Sequence, residues 1–128
     1  MKMQALTYFF SAVAGLFSGE DAGPGGHKNL AGQDLGLCTT SPMTGYWRDG
    51  YCKTNEQDEG THTVCAEMTD EFLQFTKSKG NDLITPRGGF PGLKAGDKWC
   101  LCAIRWRQAE ESGKAPPIHL DATHEHTL

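Results

Sequence analysis

Glycine and proline break this chain so often that no regular element can run far. There are 16 glycines and 6 prolines among 128 residues, and they cluster between the stretches that show apolar periodicity. Gly88-Gly89-Phe90-Pro91-Gly92 excludes a regular helix and must be a shaped loop. Ser41-Pro42, Thr44-Gly45 and Asp49-Gly50 punctuate the stretch from Cys38 to Lys53 in the same way, with Asp49-Gly50 placed as a hairpin tip. The length allows one compact domain and leaves little room for a separate cofactor-binding fold.

The elements that fit between these breaks are short. His62 to Met68 alternates in the manner of a strand, and Asn55 to Gly60 before it reads as a polar surface loop. Thr69 is placed to cap a helix whose first turn carries Asp70 and Glu71, whose end carries Lys77 and Lys79, and which closes at Gly80. Met68, Phe72, Leu73 and Phe75 form its apolar stripe. Lys98 to Cys102 suits a strand with Cys100 and Cys102 on one face and Trp99 and Leu101 on the other, although Asp97 is also placed to start a helix there. Ala103 to Ser112 is helical in either reading, with Ala103, Trp106 and Ala109 three apart and Gly113 at its end. Pro116-Pro117 precedes a short strand, Ile118 to Leu120, and Thr123 is placed to cap one last turn. The pattern predicts an α+β fold: one small loop-rich domain over residues 27–128 with short strands and two helices.

Residues 1–26 stand apart. Ser18 to Gly26 reads as a flexible linker. Ahead of it, Leu6, Phe9, Phe10, Val13, Leu16 and Phe17 fall on one face of an amphipathic helix, which offers a docking surface through residues 5–17. The competing reading is a leader over residues 1–14, which would make the protein organellar or exported; otherwise a soluble cytoplasmic protein is expected. No run of eighteen apolar residues spans a bilayer as a helix. A net charge of −4 and a pI near 5.7 argue against nucleic acid as a partner.

Five cysteines cannot all pair within one chain. Cys38, Cys52, Cys65, Cys100 and Cys102, with His62 close by in sequence, supply enough soft ligands for a zinc site. The intervals of thirteen, twelve and thirty-four residues lack the paired C-x-x-C knuckles of zinc ribbons, so buried reduced thiols compete with that reading. Cys100-Leu101-Cys102 offers a C-x-C redox pair beside Lys98 and Arg105. A nucleophilic Cys65 with His62, His119 or His124 as base has the parts but no local signature, and His124 and His126 read as mobile terminal residues. Separately, Arg48, Asp49, Asn81, Asp82 and Arg105 form a candidate polar binding site walled by Trp47, Trp99 and Trp106; the same residues also suit loop fasteners around a tryptophan-filled core.

Several stretches taken together resemble a known family. They are C-T-T-S-P-M-T-G-Y-W-R-D-G-Y-C from Cys38, H-T-V-C-A-E-M-T-D-E-F-L from His62, G-N-D-L from Gly80, G-F-P-G-L-K from Gly89, G-D-K-W-C-L-C-A-I-R-W from Gly96, A-P-P from Ala115 and A-T-H from Ala122. In order and spacing, Asn29 to His124 resembles the mainly bacterial domain of unknown function 2237. The resemblance carries no activity, substrate or cofactor. It implies that the five cysteines, with Arg48, Asp49, His62, Asn81, Asp82, Trp99 and Arg105, belong to the family pattern. The segment from Pro86 to Gly89 is shorter than the family's usual loop, and Glu125 to Leu128 stands where a helical extension is usual.

The function expected from these features is that of a non-catalytic binding or interaction module with a protein or small-molecule partner. A zinc-stabilised domain and a thiol oxidoreductase centred on the C-x-C pair are the alternatives.

Overall fold

The computed structural model describes residues 8–9 and 26–127. Its centre is a small sheet of β1 (Tyr8–Phe9), β2 (His62–Glu67), β3 (Lys98–Cys102) and β4 (Ile118–His119), in the order β1-β4-β2-β3. β2 runs antiparallel to both β3 and β4, and β1 lies parallel to β4. Two helices complete the α+β architecture: α1 (Asp70–Ser78) and α2 (Ala103–Glu111). Single 3-10 turns follow at Leu120–Ala122 and Glu125–Thr127.

α1 forms where its caps require. Thr69 Oγ1 accepts the Phe72 amide at 3.0 Å, which satisfies one of the donors a helix start leaves open. Phe72, Leu73 and Thr76 are buried, and Gly80 takes the left-handed conformation, φ +93°, that ends the segment. α2 presents Ala103, Trp106 and Ala109 to the core, and the Trp106 indole donates to the Pro116 carbonyl at 2.9 Å. Asp97 does not start a helix; β3 runs to Cys102, and α2 begins at the next residue.

Alternation along β2 and β3 divides the interior into two parts. Val64, Ala66, Trp99 and Leu101 join Met68, Phe72, Leu73, Trp106 and Ile118 in an apolar core beside the helices. Cys65 and Cys100, opposite each other in register, gather with Cys38, Cys52 and Ala122 in a second cluster. The loop from Cys38 to Cys52 is thereby fastened to the sheet. Two fully buried threonines take up strand amides there: Thr44 Oγ1 accepts from Cys100 N at 2.9 Å, and Thr123 Oγ1 accepts from Cys65 N at 3.1 Å.

Several local expectations differ from the structure. Among the described residues, no paired strands flank Asp49-Gly50; the Asp49 carboxylate caps the Tyr51 amide, and the Gly50 carbonyl accepts from Cys38 instead. Trp47 lies 43% exposed rather than in the core, edge-on to Tyr46 with the Lys53 ammonium over its ring. Asp58, expected on a surface loop, is buried. His124, expected to be mobile, is only 2% exposed. The His126 amide donates to His124 Nδ1, so Nε2 carries the ring proton and donates to His27 Nδ1 at 2.8 Å. The amphipathic helix and the linker fall largely outside the described residues; Tyr8 and Phe9, within that proposed helix, are extended.

Candidate functional site

The cysteines are the largest departure from the sequence reading. Cys38 bonds to Cys65 and Cys52 to Cys100, and Cys102 is the free thiol. Cys38, Cys52 and Cys65 do converge, their sulfurs within 4.8 Å of one another, but each is held in a disulfide and offers no thiolate to a metal. The C-x-C stretch is likewise not a dithiol, because Cys100 is committed to Cys52. The reduced-thiol expectation fails for a physical reason: spacing along the chain carries no information about the register that sets Cys65 opposite Cys100, nor about the loop that lays Cys38 and Cys52 over them.

Cys100 of that cluster borders a cleft of about 550 Å³, lined also by Tyr46, Arg48, His62, Leu83, Arg87, Phe90 and Trp99. Each arginine lies over an aromatic ring. The Arg48 guanidinium is 5.3 Å from the Trp99 ring centre, and that of Arg87 is 5.6 Å from Phe90. The two rings meet edge to face at 5.3 Å. A second cleft, lined also by Pro42, Met43, Gly89 and Pro91, shares both arginines and both rings. Arg48 holds φ +56°, a conformation costly for a side chain with a Cβ, and its guanidinium donates to the Gly45 carbonyl at 2.7 Å. Among the described residues no carboxylate pairs with Arg48, whereas Arg87 has Asp82 at 3.9 Å.

His62 stands at the edge of the cleft. Its Nδ1 lies 2.7 Å from Asp58 Oδ1, and Asp58 Oδ2 accepts the His62 amide at 2.9 Å and the Thr54 hydroxyl at 3.2 Å. Cys102 beside the ring and the Asp58 carboxylate together outweigh partial burial and raise the His62 pKa to about 9.

The other sequence candidates are dispersed. Asp49 pairs with Lys53 at 2.7 Å. Asn81 bonds to Thr76 Oγ1, and Arg105 reaches the Lys79 carbonyl and Gln108. Asp82 caps the loop that carries Arg87: bonds from Thr85, side chain and amide, and from the Ile84 amide hold its pKa down at about 2. Arg48, Trp99 and His62 are therefore brought together, while Trp47, Asp49, Asn81, Asp82 and Arg105 lie outside the cleft lining. The sequence reading missed Arg87, Phe90 and Tyr46. The glycine-flanked Arg87-Gly-Gly-Phe90 turn, closed by a reciprocal pair of backbone hydrogen bonds, was the available signal.

Residues 28–128 match the family described as an uncharacterised protein conserved in bacteria, domain of unknown function 2237. The chain belongs to that family. Membership covers the whole disulfide-braced domain and both arginines of the cleft, and it brings no assigned chemistry to them. No curated protein matches the chain. Among the described residues of this family member, no helix is long and apolar enough to cross a membrane.

Proposed function

We propose that the domain is a binding module for a small anionic ligand, held between Arg48 and Arg87 against the Trp99 and Phe90 rings. The observation that carries this reading is the pair of guanidinium groups, each stacked on an aromatic ring, that wall one cleft. Stacking fixes the planar guanidinium while leaving its edge donors for a carboxylate or phosphate. Arg48 in particular has no carboxylate partner among the described residues to compete with a ligand. The disulfides support the module's role by bracing the loop that presents Arg48 without relying on a large core. They also favour an oxidising compartment over the cytoplasm.

Trp99 supplies the assay, since a ligand entering its wall changes the indole's surroundings. Titration with benzoate and with inorganic phosphate, followed by tryptophan fluorescence, should saturate for at least one of them, and Arg48→Ala should abolish the change. Equal responses from the native protein and Arg48→Ala would reject the reading.

A further inference from the structure

We infer that Cys102, His62 and Asp58 form a thiol nucleophile site for acyl transfer, an activity separate from anion binding in the cleft. Asp58 and His62 lie four residues apart and Cys102 forty beyond, and the fold assembles them. His62 and Cys102 are register partners across β2 and β3. Asp58 turns the imidazole by taking Nδ1 at 2.7 Å, which leaves Nε2 for the thiol. Gly60 makes the approach possible: a Cβ there would stand 2.5 Å from His62 Cε1, 2.9 Å from Nε2 and 3.0 Å from Cys102 Sγ. The ring and the sulfur thus converge on one small space that any side chain would fill.

Two further observations bear on this site. Thr61, between Gly60 and His62, holds φ +50°, a conformation that a β-branched residue adopts only under constraint. Backbone strain of this kind is retained where surrounding structure requires a particular geometry. Its carbonyl accepts the Ala103 amide at 3.0 Å, which ties the strained turn to the start of α2. Cys102 is the N-cap residue of that nine-residue helix, and no acidic residue occupies the first turn. Cys102 thus stands at the positive end of a helix whose first turn carries no carboxylate.

The chemistry follows from the order of the groups. Cys102 gives its proton to His62 Nε2, and Sγ attacks the carbonyl carbon of an ester or thioester. The bond to the leaving group breaks, His62 returns the proton to the leaving oxygen or sulfur, and a thioester remains on Cys102. Water then gives a proton to His62 and attacks that thioester; carboxylic acid leaves and the thiol is restored. Asp58 is a positioning residue that holds the ring and its charge. A base that must receive and return a proton needs such an anchor, whereas simple thiol–disulfide exchange does not, and Cys100 is not free to resolve a mixed disulfide.

The test uses the full chain with both disulfides intact. The groups that bear on His62 are Cys102 and Asp58, so Cys102 alkylation by iodoacetamide is followed against pH in the native protein, His62→Gln, Gly60→Ala and Asp58→Asn. The native thiol should react at pH 6 at least about tenfold faster than in His62→Gln or Gly60→Ala, since an ordinary thiol is almost wholly protonated there. Asp58→Asn should displace the profile without removing the thiol. With p-nitrophenyl acetate, the native protein should release a burst of one nitrophenolate per chain and carry an acetyl group on Cys102, and Cys102→Ser should do neither. A native profile that rises about tenfold per pH unit toward an ordinary thiol midpoint near 8.5, or an acetylation trial that leaves Cys102 unmodified, would overturn the inference. Both decisive readings come from the native protein, so a variant that fails to fold does not obscure them.

Discussion

The backbone amide of His124 donates to the Thr63 carbonyl at 3.0 Å, and this bond joins the C-terminal segment to the irregular point of β2. Val64 pairs with Leu101 and His62 with Cys102, so Thr63 is an extra residue, a bulge, on that strand. Its buried hydroxyl accepts from Thr127 at 2.8 Å, which adds a second tie to the same segment. Without the bulge, regular pairing would set Thr63 itself opposite Cys102. The last residues of the chain thus support the register that brings the imidazole to the thiol.

Acid should loosen this support through His124. Burial, with the neighbouring His126 and His27 rings, lowers its pKa to about 4 in the folded protein. The unfolded chain, with an ordinary value near 6.5, takes up the proton first as pH falls. The contribution to stability is therefore full above about 6.5 and is lost progressively toward pH 4, by roughly 2–3 kcal/mol. Urea unfolding across that range should show the loss, and His124→Gln should flatten the slope.

His62 predicts the opposite dependence. Its folded pKa is raised to about 9, by Cys102 first and by Asp58 against the effect of burial. The stabilisation is fully present below the unfolded value near 6.5 and disappears as pH rises through about 9. Ring-proton NMR should place the His62 midpoint well above that of free histidine. Asp58→Asn should move it down; a midpoint unchanged by that substitution would show that the carboxylate does not hold the charge.

Thiol titration distinguishes the disulfide arrangement from the reduced or metal-bound alternatives. Unfolded but unreduced protein should give one reactive thiol per chain, at Cys102, and reduction should raise the count to five. The two bonds close loops of 27 and 48 residues, so loop closure assigns each roughly 3–4 kcal/mol. Replacing Cys38 and Cys65 together by alanine should lower the urea midpoint accordingly, and added chelator should leave the oxidised protein's stability unchanged.

Arg48 allows backbone strain to be separated from charge. Arg48→Ala and Arg48→Gly both remove the guanidinium, but only glycine is at ease at φ +56°. The glycine variant should be more stable than the alanine variant by about 1 kcal/mol. Both should fail in the ligand titration, and denaturant unfolding of the pair reads the difference directly.

Local chemistry was legible where it acts over a few residues. Thr69, Asp70, Lys77 and Gly80 signal α1, and alternation places β3 at Lys98–Cys102. Long-range pairing left no comparable trace. Cys38 and Cys65 are 27 positions apart and Cys52 and Cys100 are 48 apart, and five cysteines can be joined in many ways. Asp58 looked like any acidic loop residue until the Thr54 hydroxyl and His62 enclosed it. The bulge at Thr63 carries no compositional mark, since threonine suits regular strands as well. The candidate site was therefore legible in part: Arg48 was grouped with Trp99 and His62 with Cys102, but each among residues that lie elsewhere, and Arg87, Phe90 and Asp58 were in neither group.

The buried hydroxyls of Thr44 and Thr123 give the disulfide cluster a memory. Each sits on the amide of a bridged cysteine, Cys100 or Cys65, and oxygen is indifferent to reductant. Thr44 lies in the 38–52 loop, so a reductant that opened the bridges would still leave that loop an oxygen-made tie to β3, worth about 1 kcal/mol against the several that the two bridges supply.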